Sequence, residues 1–256
     1  MAAGPTSLLQ AVDSESVQID TGADEEAVYG QTLAPIHYFT KSRSIPLSLA
    51  QSYVGYGAVS VENSFGLYWQ AFSDTGGLGS GGISVVGKVL IIPQNVRCSK
   101  GAVAKSTIRC LFMDAAPTIG TTTTTPAGVD HIYVNGPSTF NGSALNGIEE
   151  QEFDFGLRVA TDVGQGGKLY PTKYWFTQTA PTMRFRITDL DLVRQYLTPV
   201  ELTSSAAVMK FMNEGGTAGY QYTLAKARVL GEIRGAVGML TVSAINQTTL
   251  LSGATY

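Results

Sequence analysis

Hydrophobic and polar residues alternate with a period of two over much of this chain, the pattern of strands with one buried face. Met183, Phe185 and Ile187 alternate with Arg184 and Arg186. Phe153, Phe155 and Leu157 alternate with Glu152, Asp154 and Arg158. Tyr220, Tyr222 and Leu224 alternate with Gly219, Gln221 and Thr223, and Leu240, Val242 and Ala244 with Met239, Thr241, Ser243 and Ile245. From Pro35 onward IHYFTK, IPLSLAQ, YVGYGAVSVE, SFGLYWQAF, ISVVGKVLIIP and TIRCLFMDA read as further strands. The long regular strands predicted are 53–62, 83–92, 152–160 and 219–229.

Two stretches after Thr188 read as short helices. Thr188 is placed to cap the first: its side chain takes the amide three residues on and Asp191 returns the bond. Pro199 follows Leu197 closely and stops it. The second covers Ser204 to Asn213, with Ala207, Val208, Phe211 and Met212 on one face and Gly215-Gly216 as its end. Strand outweighs helix. The fold class expected is mainly β, a β-sandwich with a short α element.

Polar, low-complexity segments divide the strands. Asp74 to Gly82 (DTGGLGSGG), Thr118 to Gly128 (TIGTTTTTPAG) and Pro137 to Gly147 (PSTFNGSALNG) read as loops. Residues 1–30 are polar and acidic, with Asp20, Asp24, Glu25 and Glu26, and read as an extended arm. Residues 31–256 read as a single β-sandwich domain with long Gly/Thr-rich loops.

Composition changes the picture in one respect. Apolar residues are 44% of the 256, enough for a sizeable core, but charged residues are only 14%. The usual share is about a quarter. Charge is depleted where surface meets other subunits, so burial between copies is expected. The net charge of −3 offers no basic footprint for nucleic acid. No run of about twenty apolar residues is present, so no membrane span is expected. The opening MAAGPTSLLQAVDSE lacks a charged n-region and an apolar h-region, so no secretory signal is expected. Two cysteines, Cys98 and Cys110, are too few for a disulfide framework. A hairpin on SKGAVAKSTIR would set them face to face. In a reducing compartment free, buried thiols are the expectation.

Candidate chemistry is sparse. Gly77, Gly79 and Gly82 have the spacing of a dinucleotide fingerprint, but a strand follows where a helix is needed. His37 and His131 stand alone, whereas metal sites need clustered ligands. Glu149, Glu150, Glu152 and Asp154 are clustered and carry the residue types of glycoside hydrolysis or calcium binding. They lack the Gly and Asp spacing of a calcium loop, so a solvated acidic strand face is expected. No catalytic residue, cofactor or metal is expected. The tyrosines and tryptophan Tyr53, Tyr68 and Trp69 would be a sugar platform in a secreted carbohydrate-binding sandwich. Core packing is the simpler reading of them.

The segment SSAAVMKFMNEGGTAGYQYTLAKARVLGEIRGAVGMLTVSAINQ resembles the matching part of tail tube proteins of long-tailed bacteriophages. VMKFMNEGGTAGYQY carries the likeness, read as an apolar helix that ends in a polar turn and leads into strands. FDFGLRVAT, GKLYPTKYWF and APTMRFRITDLD are similar upstream, so the likeness covers roughly 150–246. It implies hexameric rings of β-sandwich subunits, stacked into a hollow tube that passes DNA transiently and without specificity. Partners would be further copies and the tail proteins at the tube ends. The location would be the virion tail, assembled in the host cytoplasm, with no membrane. On this reading Glu152 and Asp154 face the lumen, where anions avoid phosphate capture, and the phenylalanines face the sandwich. The loop with Gly76, Gly77, Gly79, Gly81 and Gly82 contacts the next ring. The alternatives are a jelly-roll capsid or decoration subunit, and the secreted carbohydrate-binding sandwich.

Overall fold

The computed structural model describes residues 2–5, 10–11, 18–19, 23–29, 35–43, 46–51, 54–55, 58–69, 82–122, 132–163, 169–213, 215–216, 218–246 and 254–255. The first strands are β1 (Ala2–Pro5), β2 (Gln10–Ala11), β3 (Gln18–Ile19), β4 (Ala23–Tyr29), β5 (Pro35–Arg43), β6 (Pro46–Gln51) and β7 (Ser60–Trp69). Next come β8 (Gly82–Ser99), β9 (Lys105–Phe112), β10 (Thr118–Thr122), β11 (Tyr133–Asn135), β12 (Thr139–Phe140), β13 (Ser143–Ala144) and β14 (Ile148–Asp154). Strands β15 (Leu157–Val163), β16 (Pro171–Thr179) and β17 (Thr182–Ile187) precede helix α1 (Leu190–Arg194). The chain continues through β18 (Val200–Leu202), β19 (Ala207–Asn213), β20 (Gly219–Leu224), β21 (Ala227–Arg234), β22 (Val237–Ala244) and β23 (Ala254–Thr255).

The fold is mainly β with a minor helical element, and its sheets are antiparallel. The largest has 13 strands, with the path β18-β21-β22-β17-β14-β8-β7-β1-β2. Strand β8 is its hub. Its 18 residues pair with β7 and then β14 along one edge, and with β10 and then β9 along the other. Pro93 has no amide to give the ladder. The register shifts between Pro93 and Asn95, so β8 passes it through an irregularity in the pairing with β9. A second sheet has six strands, β13-β12-β19-β20-β23 with β11 on β19. Two ribbons, β4–β5 and β15–β16, are two-stranded sheets of their own.

The inner faces of the two large sheets share one core. Phe153, Met183, Phe185, Ile187, Val229, Leu240 and Val242 come from the first, and Ala207, Met209, Phe211, Tyr222 and Leu224 from the second. The Tyr222 ring stacks on Phe153 at 4.5 Å and meets Phe155 edge-on at 5.5 Å. Its hydroxyl donates to the Val54 carbonyl at 2.7 Å, so a phenol is buried with its polar end satisfied. Two smaller clusters lie on opposite faces of β8. Val85, Val89 and Ile91 pack with Phe65 and Leu67 on one side, and Leu90 and Ile92 with Leu111 and Met113 on the other. Tyr174, Leu157 and Val159 of the β15–β16 ribbon cover the second of these.

Helix α1 is capped by Asp189, whose carboxylate accepts the Leu192 amide at 3.0 Å. The cap expected at Thr188 is therefore one residue out, and Thr188 turns its hydroxyl to the Gly147 carbonyl. Val193 seats α1 on β21 and β22, where a Cβ on Gly231 would lie 2.6 Å from the Val193 carbonyl oxygen and one on Gly238 2.5 Å from its side chain.

Several expectations are corrected. The second helix does not exist: Ala207, Met209 and Phe211 are buried in alternation, and β19 pairs with β20. Once Tyr220, Tyr222 and Leu224 are a strand, hairpin pairing outweighs the helical stripe seen in AAVMKFM. Residues Thr118–Thr122, read as loop, form β10 on β8, and 137–147 contains the two-residue strands β12 and β13. Strand 152–160 is interrupted at 155–156, and 219–229 turns at 225–226 between strands of different sheets. In 53–62 the described residues become strand only at Ser60. Residues 30–34, where the expected arm ends, lie outside the described residues, as do Tyr53 and His131. The described part of that arm already contributes strands to sheets.

Candidate functional site

Strand β14 carries the acidic cluster, and its alternation sorts the side chains as expected. Phe153 is fully buried, while Glu150, Glu152 and Asp154 lie on the opposite face. The neighbours change that face's character. Register sets Glu152 between Arg97 of β8 and Arg184 of β17, and Glu150 between Ser99 and Arg186. Arg184 bonds Glu152 at 3.2 Å, Arg97 pairs with Glu150, and Lys100 with Glu149 at 2.9 Å. On β21 Arg234 pairs with Glu232 at 2.7 Å. The expected acidic face is a charge-compensated one, because the partners of the carboxylates come from strands remote in sequence.

A shallow depression of about 470 Å3 lies over this face. Four arginines (Arg97, Arg184, Arg186, Arg234) and three glutamates (Glu150, Glu152, Glu232) line it, with Met239 and Gly238 of β22. Arg186 makes no ion pair among the described residues. Asp154 sits at the rim of the strand and acts locally. Its carboxylate accepts the Gly156 amide at 2.8 Å, at the point where β14 ends.

Beneath the face a polar triangle ties the two large sheets. The Ser138 hydroxyl donates to Gln151 Oε1 at 2.8 Å, Gln151 Nε2 donates to the Lys210 carbonyl at 2.7 Å, and the Lys210 amide donates to Ser138 Oγ at 3.0 Å. Gln151 and Ser138 are both buried. A closed network of this kind satisfies each group removed from water.

Cys98 and Cys110 are free and buried. They do not face one another. Cys110 lies opposite Ile91 in the β8–β9 pairing and packs in a different cluster from Cys98. Burial pushes the Cys98 thiol up to about 11, partly offset by a backbone hydrogen bond at Asn135, and pushes Cys110 up as well. Burial, and then Tyr220 beside it, also raises the Tyr133 phenol. Both thiols are therefore protonated and poor nucleophiles at neutral pH.

Large apolar side chains are exposed at several points, among them Val103, Ile119, Ile132 and Leu230, and in two places they lie close together. Trp175 (50%) and Phe176 (38%) are adjacent on β16. Leu197 (51%) and Val200 (38%) lie at the β18 end of the large sheet. Sequence reasoning did not single out either; the aromatic run KYWF inside a strand was the available signal.

Among the described residues no group of three His, Cys, Asp or Glu side chains could hold a metal ion, and no helix is long and apolar enough to cross a membrane. His37 falls in β5, and Tyr68 and Trp69 in β7. Gly76, Gly77, Gly79 and Gly81 lie outside the described residues, and Gly82 opens β8. No protein-family model and no curated protein matches this sequence.

Proposed function

We propose that this chain is a structural protein that assembles with itself: the subunit of stacked, hexameric rings that form the hollow tail tube of a long-tailed bacteriophage. One observation supports the reading most. A chain with only 14% charged residues leaves Trp175 and Phe176 of β16 and Val200 of β18 exposed on strands that end sheets, with Leu197 exposed in the bend before β18. Apolar residues at free strand edges invite another chain to add there. In this reading the two sheets around the shared core are the sandwich of each subunit, and heterologous contacts close the ring and stack it. The likeness over 150–246 then rests on strand alternation and the turn at Gly215-Gly216, because β19 replaces the helix that was part of it.

The outward face of β14 is assigned to the lumen. Its arginines are largely engaged by glutamates, so passing DNA meets few cations free to capture phosphate. Changing Glu152 and Asp154 together to lysine adds two cations per chain and strips Arg184 of its partner. Rings should still form, and genome passage should slow or stop. Particles with both lysines that eject DNA at the normal rate would refute the lumen assignment. Electron microscopy of the purified protein tests the function itself. Tubes are expected; closed shells would point to a capsid or decoration subunit, and monodisperse small particles would refute assembly.

A further inference from the structure

We infer that two copies of this chain join edge to edge, the β16 strand of one adding to the β18 edge of the next, with Lys173 opposite Glu201. The inference rests on the self-assembly reading and names the contact that would close it laterally.

Strand β16 pairs only with β15; at its start the Pro171 carbonyl accepts the Asp114 amide at 2.9 Å, and beyond that its other edge is open among the described residues. It is nine residues long and has one charged side chain, Lys173. Trp175 and Phe176 are neighbours on it, so they point to opposite faces of the ribbon, yet both are exposed. A partner laid over one face would leave the other aromatic in water. A strand added at the edge brings cross-strand neighbours to both faces at once. Strand β18 is likewise paired on one side only, with β21, and ends the 13-stranded sheet. It too has one charge, Glu201, and exposed apolar residues beside it, Val200 and Leu197.

The charges set the register. Within the chain Asp162 lies opposite Lys173, and Arg228 opposite Glu201, with no ion pair formed in either case among the described residues. Joining β16 to β18 with Lys173 against Glu201 gives the order Arg228, Glu201, Lys173, Asp162 across four strands, alternating in sign throughout. An antiparallel join in this register also sets Tyr174 against Val200 and Thr172 against Leu202, and carries Trp175 and Phe176 alongside the bend at 197–199 that leads into β18. By contrast, β18 paired with a second β18 about its centre would oppose Glu201 to itself, and like charges directly opposite are unfavourable.

The test is a charge-swap series in the full chain, read by sedimentation velocity across a concentration range. Lys173→Glu and Glu201→Lys should each weaken association about tenfold, since each opposes like charges at the joint. The double variant Lys173→Glu/Glu201→Lys should restore it to within about twofold of the original. Recovery in the double variant also shows that neither change acts by unfolding the chain. Single variants that associate normally, or a double variant no better than either single, would overturn the inference. Micrographs of the same samples separate it from the function proposed above. Tubes that persist with Glu201→Lys keep the tube and discard this joint. Charge-swap rescue in discrete oligomers without tubes keeps the joint and discards the tube.

Discussion

Strands β14 and β16 both pair antiparallel and meet opposite fates. β14 alternates buried and outward residues over Gln151–Asp154, while β16 runs Tyr174, Trp175 and Phe176 together. β14 lies between β8 and β17, with a second sheet over its inner face. Its Phe153 is wholly buried and its outward carboxylates meet arginines on both flanks. β16 has one partner strand, and only part of one face is covered, where Tyr174 packs against the cluster of Leu90, Ile92, Leu111 and Met113. Its Trp175 and Phe176 stay in water. The difference teaches that local sequence can specify a strand with or without alternation, while the number of neighbours decides whether its side chains stabilise the fold or remain available to another chain.

The largest test of this contrast pairs two truncations. Phe153→Ala removes a ring stacked on Tyr222 in the shared core and should cost about 3–5 kcal/mol in denaturant unfolding. Trp175→Ala removes a larger ring that is half exposed and should cost under about 1 kcal/mol in the dissociated chain. Equal losses at the two sites would erase the distinction.

The hinge between the two regions comes next. Gly156 has φ +57°, and a Cβ there would lie 2.1 Å from the Ala180 carbonyl oxygen. Gly156→Ala should therefore destabilise by about 1–3 kcal/mol. It should also raise amide exchange in β15 and β16 before it does so in β14. Uniform exchange across all three would show that the ribbon is not a separate unit.

Within β14 the buried and outward faces should respond unequally. Gln151→Ala leaves the buried Ser138 hydroxyl without its acceptor, takes one of two donors from the Lys210 carbonyl, which keeps the Gly136 amide, and should cost about 1–3 kcal/mol. Glu152→Gln breaks an ion pair half open to solvent and should cost no more than about 1 kcal/mol. Thermal melts of the two variants check the order. Reversed sizes would make the outer ladder, rather than the inner triangle, the tie that matters.

The smallest effect is that of the thiols. Their native pKa values are raised, so below the unfolded value of about 8.5 both states hold the proton and stability is untouched. As pH rises from there toward about 11, the unfolded Cys98 loses its proton while the folded one keeps it, and stability should decline. Cys98→Ser and Cys110→Ser variants should show a shallower decline. At pH 8 neither native thiol should react with a thiol-specific reagent until the chain is unfolded. Rapid labelling of Cys98 alone would mean that its end of the hairpin opens freely.

Much of the β character was legible. The alternations at Met183–Ile187, Tyr220–Leu224 and Met239–Ala244 are long enough that only a strand satisfies them, and all three are strands. The inward direction of Phe153 and the burial of both cysteines could also be read from sequence, because each follows from side-chain polarity alone. Where an apolar run satisfied two periods, sequence was insufficient. AAVMKFM fits a helical stripe and a strand equally, and the choice was made by β20, which supplies hydrogen-bond partners along the whole segment.

What the sequence determined by itself was therefore local: which side of a strand is apolar, that a short helix lies between Thr188 and Pro199, and that so few charges leave much surface uncharged. Tertiary structure decided everything that depends on a neighbour. Glu152 became half of an ion pair because folding set Arg184, 32 residues away, across the ladder from it. Phe155 and Gly156 broke a continuous alternation because β15 turns away to pair with β16. The physical reason is common to both. A side chain's polarity is fixed by its own atoms, but its pairing, exposure and charge environment are fixed by strands whose register is set only when distant segments meet.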